Sequence, residues 1–167
     1  MTGLTGHPGS TDYKGVTVRL SAPGDAKLLS GISCASMTSA WSEMDFLDAM
    51  SGDHSVCLTA VADGTVAGYM VMYHAADEGE IPSVAVHESF RRRGVAHTMM
   101  TELFTRARAL GLTRLFLEVR KSNMPAIAYY ESFGFLCAGE RKNFYSDPVE
   151  DALIYTTVIN LNEDNEC

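Results

Sequence analysis

The 167 residues are enough for one domain with a sizeable core, and 46% hydrophobic against 20% charged residues is the balance of an ordinary globular chain. There is no run of 18 apolar residues and no basic, apolar and small-residue signal at the N-terminus, which argues against a membrane span or a secretory leader and for a cytoplasmic protein. The net charge of −8 is unevenly spread: residues 88–121 hold eight of the 13 Lys and Arg against three acids, leaving five bases and 18 acids elsewhere. A basic patch suits an anionic cofactor. The acidic remainder suits a cationic partner, argues against direct nucleic-acid binding, and equally serves solubility.

Residues 1–15, rich in Gly, Ser, Thr and Pro, read as a flexible tail, residues 16–161 as a single domain and 162–167 as a second tail. Val16, Val18 and Leu20 alternate as a first strand, Asp25 to Met37 reads as a helix, and Ser42 can cap a second helix through about Met50. Ser55 to Asp63 reads as a strand that turns at Asp63-Gly64 into another over Val66 to Tyr73. A buried strand over Glu80 to Val86 then leads to a helix whose apolar positions are Ala96, Met99, Met100, Leu103, Phe104, Ala107 and Leu110, ended by Gly111. Leu115 to Val119 is a further buried strand. Asn123 can cap a short helix with Pro125 in its first turn and Ala126, Ile127, Tyr130 and Phe133 inward, closing at Gly134. Phe135 to Glu140 and Ala152 to Leu161 read as the last two strands. Cys34, Cys57, Cys137 and Cys167 form no Cys-x-x-Cys pair and read as free thiols in a reducing compartment, with Cys57 and Cys137 as packing residues. His7, His54, His74, His87 and His97 have no ligand spacing, so no metal is expected.

The stretch with most chemical content is Val84-Ala85-Val86 followed by Arg91-Arg92-Arg93-Gly94-Val95-Ala96-His97, a strand running through a basic turn into a helix N-terminus. The first amides of a helix lack intrahelical partners and carry the positive end of the macrodipole, so they attract an anion. Gly94 permits close backbone approach, Ala96 keeps the first turn small, and the arginines add charge. This reads as a phosphate cradle, although such a turn also serves as a solvated cap. The spacing is neither that of a Walker loop nor of a dinucleotide fingerprint. Downstream, Glu118 lies in the apolar run Leu115 to Val119, where a carboxylate is costly unless paired or employed, and Tyr130 follows on an amphipathic helix. By composition alone, Glu118 is better explained as an edge or salt-bridged residue than as a base, and Tyr130 by packing.

Arg91-x-x-Gly94-x-Ala96 after Val84-Ala85-Val86 resembles the pyrophosphate signature of the GNAT superfamily of N-acetyltransferases, which hold acetyl-coenzyme A. Leu117-Glu118-Val119-Arg120-Lys121-Ser122-Asn123, Ala126-Ile127, Tyr130, Gly134-Phe135, Arg141 to Tyr145 and Glu150-Asp151-Ala152 are similar to the ribosomal-protein alanine N-acetyltransferases of the RimI type and their protein N-terminal acetyltransferase relatives, as is Trp41-Ser42-Glu43. The resemblance implies an α/β (α+β) GNAT fold, a mixed central sheet of about six to seven strands with about four helices and a cofactor cleft where central strands splay. It implies Glu118 as proton acceptor from the substrate amine and Tyr130 as proton donor to the departing thiolate. It further implies Val84, Ala85 and Val86 beside the pantetheine, Arg91, Arg92, Arg93, Gly94, Val95, Ala96 and His97 at the pyrophosphate, Asn123 near the thioester, and Trp41 and Tyr145 at the peptide entrance. The implied acceptor is the N-terminus of a protein, a basic ribosomal protein above all. A small-amine or lysine acetyltransferase, and a coenzyme A-binding module without turnover, are the alternatives. Ala40 stands where bacterial relatives have Pro, Phe144 where Tyr is usual and Arg91 where Gln is common. These departures bear on which N-terminal residue is accepted.

Overall fold

The computed structural model describes residues 15–161; the expected tails lie outside them, apart from Gly15. The strands are β1 (Val16–Leu20), β2 (Ser55–Ala62), β3 (Thr65–Ala75), β4 (Glu78–Val86), β5 (Arg114–Arg120), β6 (Leu136–Ser146) and β7 (Val149–Val158). The α-helices are α1 (Ala26–Ser36), α2 (Glu43–Ser51), α3 (Val95–Ala109) and α4 (Met124–Ser132). The strands form one mixed sheet in the order β1-β2-β3-β4-β5-β7-β6, antiparallel except where β4 meets β5. This is the expected fold class.

Alternation within the strands distributes the core between the two faces. Met70 and Met72 of β3 join Met99, Met100 and Leu103 of α3 and Ile127 and Tyr130 of α4 in one apolar cluster. Tyr69 and Val71 join Leu29 and Ile32 of α1 and Phe46 of α2 in the other. Local chemistry sets the element ends. Ser42 Oγ accepts from Asp45 N–H at 3.2 Å, and Asp45 Oδ2 accepts from Ser42 N–H at 2.7 Å, which closes the N-terminus of α2. Asp63 and Gly64 both have positive φ, 52° and 72°, as the tight β2–β3 turn requires.

Several expectations need correction. Leu20 and Leu110, each read as an inward position, are 53% and 47% exposed, because β1 is an edge strand and Leu110 caps α3 after its last inward turn. Cys137 is exposed on the other edge strand and is not a packing residue, whereas Cys57 is buried. β6 is longer than read, running to Ser146, and β7 lies three residues earlier, starting at Val149, so the two make one long hairpin. Nearly all of β6 is exposed, so its sequence carries no alternation to mark its length. The β4 strand contains Pro82, a residue without a ladder donor. Between Val71–Ser83 and Tyr73–Glu80 the register slips, placing Pro82 in a bulge where no donor is needed.

Candidate active site

The sheet opens at its centre. β4 pairs with β5 only over Glu78–Arg114, Gly79–Leu115 and Glu80–Phe116. Beyond Glu80, β4 continues along β3 to Val86, while β5 continues along β7 to Arg120. The two strands part, and the edge of β4 around Val84, Ala85 and Val86 faces the gap with backbone groups that no neighbouring strand takes up.

The basic turn stands at the end of that edge. Gly94 adopts φ 79°, ψ 7°, and α3 starts at Val95. Arg92 is also left-handed, with φ 61°, a conformation a non-glycine residue adopts only when its surroundings hold it there. The sequence treats the three arginines alike, but their surroundings divide them. Arg93 is engaged by Asp63 at 2.7 Å and lies 5.2 Å from the Phe90 ring centroid, and Arg91 Nε donates to Val86 O at 3.4 Å. Arg92 is exposed and forms no ion pair among the described residues. His97 is exposed one turn into α3, its ring 4.9 Å from that of Phe133.

Asn123 Oδ1 accepts from Ala126 N–H at 3.3 Å, so the residue caps α4 as its position suggested. Tyr129 Oη donates to Ala96 O at 2.6 Å, fastening α4 to the first turn of α3. Tyr129→Phe is expected to cost about 1 kcal/mol and to lower Tm by about 2–4 °C in thermal melts. Tyr130 is 7% exposed, packed against Tyr129 and Phe135, and burial keeps its phenol protonated far above the ordinary range.

Glu118 projects from β5 on the face opposite Leu117 and Val119, so it stands on the α1/α2 side while Tyr130 stands on the α3/α4 side. Its side chain is 18% exposed and forms an ion pair with Arg141, Nε to Oε1 3.1 Å. Burial pushes the carboxyl upward, Arg141 pulls it down and the like charge of Glu80 pushes it up again; the net direction is above the ordinary carboxylate range. Tyr145 lies within electrostatic reach of both Glu118 and Tyr130. Of the two readings left open for Glu118, the salt bridge is present, and the residue stands on β5 beyond its last pair with β4.

Arg120, which the sequence did not single out, joins the walls of this opening. Its guanidinium donates to Asp147 O and Pro148 O, each at 3.0 Å, pairs with Glu150 at 3.2 Å and reaches Thr38 Oγ1 at 3.3 Å. It also lies 4.2 Å from the Tyr145 ring centroid. The segment after α1 and the β6–β7 hairpin are thereby held together over Glu118's face.

Trp41 stands farther along that face. Its backbone N–H donates to Ser33 Oγ at 2.9 Å, and its ring stacks on Tyr73 at 6.2 Å. With Ser39, Ala40, Asp45 and Asp48 the two rings line a shallow recess of about 410 Å³. Register places Tyr73 opposite Glu80 and Glu80 opposite Phe116, two residues before Glu118, so recess and carboxylate share a face. The structure thus gathers Glu118, Tyr145 and Tyr130 around the opening, puts Val84–Val86 and the Gly94 turn along one wall, and sets Trp41 apart from them. Among the described residues no group of His, Cys, Asp and Glu is placed to hold a metal ion, and no helix is long and apolar enough to cross a membrane.

A strand edge left open inside a mixed sheet, ending in a left-handed turn at a helix N-terminus, offers backbone groups to an anionic ligand. The chain belongs to the acetyltransferase (GNAT) family, whose model matches residues 30–135, and it is an acetyltransferase. It is 35% identical over 123 residues to the ribosomal protein bS18-alanine N-acetyltransferase of Salmonella typhimurium, covering 72% of this chain and 82% of that one. It is 33% identical over 130 residues to a protein of Bacillus subtilis described as a putative enzyme of the same kind, covering 77% and 86%. Among solved structures, the ribosomal-protein-S18-alanine N-acetyltransferase of Escherichia coli superposes with a TM-score of 0.80 at 28% identity, over 91% of this chain and 99% of that one. Ard1 from Thermoplasma volcanium does so with 0.81 at 27%, over 88% and 99%.

Proposed function

We propose that this acetyltransferase modifies the N-terminal α-amine of a protein in the cytoplasm, a ribosomal protein with N-terminal alanine, with acetyl-coenzyme A as cosubstrate and residues 16–161 as one catalytic domain. The observation that carries the reading is Glu118, a half-buried carboxylate on β5 where that strand has parted from β4, in a chain similar to enzymes of that name.

The residues present fit the cosubstrate. The free edge at Val84, Ala85 and Val86 offers peptide groups to an amide-bearing arm. The Gly94 turn offers the amides of Val95, Ala96 and His97 and the exposed Arg92 to a pyrophosphate, with Arg91 tied to Val86 and Arg93 to Asp63. Asn123, the cap of α4, would stand near the thioester. When bound, acetyl-coenzyme A supplies the electrophilic carbonyl and a sulfur leaving group. Glu118 takes up the proton that the attacking amine gives up, through water. An α-amine with pKa of about 7.7–8 is roughly 10–20% neutral at pH 7, against well below 0.1% for lysine, so a carboxylate base suffices for an N-terminus. Tyr130 Oη, kept protonated by burial, gives a proton to the sulfur as its bond to the acetyl carbon breaks. That transfer runs uphill from a phenol to a thiol of pKa about 8.5 and relies on a hydrogen bond that strengthens as charge develops. No cysteine lies in these motifs, which favours direct transfer over an acyl-enzyme.

The recess at Trp41 supports a basic acceptor. Two aromatic faces and the carboxylates of Asp45 and Asp48 attract a cation, and no Lys or Arg occurs between Leu28 and Phe90 to neutralise them. Strand spacing puts Tyr73 roughly 12 Å from Glu118, the reach of three to four extended residues. The test is acetyl transfer to peptides with varied first residues, and to blocked peptides with an internal lysine, the product being located by mass spectrometry. Acetyl on the free α-amine is expected, with alanine favoured. Arginine at the third or fourth position should raise kcat/KM about 2–5-fold, an advantage that Asp48→Asn reduces. Acetyl on lysine or on small amines alone would overturn the acceptor class, and coenzyme A binding without transfer would overturn catalysis.

A further inference from the structure

The β6–β7 ladder slips register twice, between Cys137 and Gly139 and between Arg141 and Tyr145, and the second slip begins at the residue paired with Glu118. Arg141 pairs in register with Ala152 and Tyr145 with Glu150, so β6 advances four residues while β7 advances two. The surplus bulges outward through Lys142, Asn143 and Phe144. Asn143 is left-handed at φ 52°, and its N–H donates to Asp151 Oδ1 at 2.8 Å. Lys142 Nζ bridges Asp151 at 3.0 Å and Glu140 at 2.9 Å. Bulges re-aim side chains, and this one brings Arg141 and Tyr145 within one pleat of each other on the face of Glu118. The Arg141 guanidinium is 3.1 Å from Glu118 Oε1 and lies 5.6 Å from the Phe144 ring centroid, while its side chain remains 58% exposed.

The surroundings of Glu118 otherwise disfavour its charge. From β4 it is faced by Glu80, a like charge, and from β6 by Tyr145, which brings no cation. Its β7 partner in register is Ile154. Arg120 on its own strand is engaged by Glu150 and by the carbonyls of Asp147 and Pro148. Arg141 is the cation that opposes burial and Glu80.

We propose that Arg141 is a positioning residue for Glu118, holding the carboxylate ionised and turned toward the opening so that it can accept a proton. The inference rests on the base assigned to Glu118 above. An exposed guanidinium suits that role, because it lends charge without sealing the site and can swing aside as an acceptor arrives.

The test is a titration of the full-length protein labelled with 13C at glutamate carboxyls, the Glu118 resonance being identified by its loss in Glu118→Gln. In Arg141→Gln the Glu118 midpoint should move upward by about half a unit to one unit, and Arg141→Lys should recover part of the shift. The acidic limb of the kcat profile should move with it, so that the variant loses several-fold more activity at pH 6 than at pH 8.5; a merely structural role would lower both alike. A Glu118 midpoint unmoved in Arg141→Gln overturns the proposal. Near wild-type turnover by Glu118→Gln overturns instead the base assignment on which it rests, and the two failures are read from different variants.

Discussion

Glu118→Gln is expected to lower kcat/KM for a peptide acceptor by about 10²–10⁴-fold while leaving coenzyme A affinity within a few-fold. The amide preserves the volume and one hydrogen-bonding oxygen but cannot accept the proton. The pH dependence has a definite sign. Because the folded carboxyl sits above its ordinary range, wild-type activity should fall as pH drops through that raised value, and the contribution should vanish in the variant. Stability should move the other way. A carboxyl whose folded pKa is raised favours folding below its unfolded pKa, and loses that contribution as pH rises through the folded one. At pH 7 ionised Glu118 therefore disfavours folding, and Glu118→Gln should melt no lower than wild type. Retained turnover would remove Glu118 from the chemistry; lost turnover with a large fall in Tm would assign it a structural role instead.

Gly94→Val is expected to weaken coenzyme A binding by about 10–100-fold, measured calorimetrically with coenzyme A itself. The backbone there is left-handed, which costs an ordinary residue about 1–2 kcal/mol and a β-branched one more, so the turn should relax toward negative φ. That movement is not local. Gly94 O accepts from Thr98 N–H at 2.9 Å and from Thr98 Oγ1 at 2.8 Å, so rotating the residue rotates the first turn of α3 and the amides it presents. Arg93→Ala serves as the contrast: Arg93 is already engaged by Asp63, and its loss should change affinity little beyond a small salt-dependent effect. Unchanged affinity in Gly94→Val would place the pyrophosphate elsewhere.

What could be read from the sequence was what local chemistry decides. Ser42 and Asn123 are caps because their side chains bond amides three residues on, and Asp63-Gly64 is a hairpin because both residues tolerate positive φ. Family motifs singled out Glu118, Tyr130 and the Gly94 turn, which local chemistry alone would not have joined. What could not be read depends on partners distant in the chain. Arg141 finds Glu118 only because a bulge in β6 re-aims it, and the recess pairs Trp41 with Tyr73 across two elements. The reach of β6 and the exposure of Cys137 were hidden for a related reason: an edge strand exposed on both faces need not alternate.

The seam between β4 and β5 has a kinetic consequence. The ladders of β2–β3, β3–β4 and β6–β7 join strands adjacent in sequence across short turns, so they can form from contacts close along the chain. The three pairs of the seam join residues 36 apart and have no further ladder to extend them. Closing such a loop costs entropy before it returns contacts, which delays its formation relative to the three local hairpins. The gap proposed to receive the cosubstrate is thus bordered by a joint of only three pairs, expected to form after those hairpins and to open readily when the protein breathes.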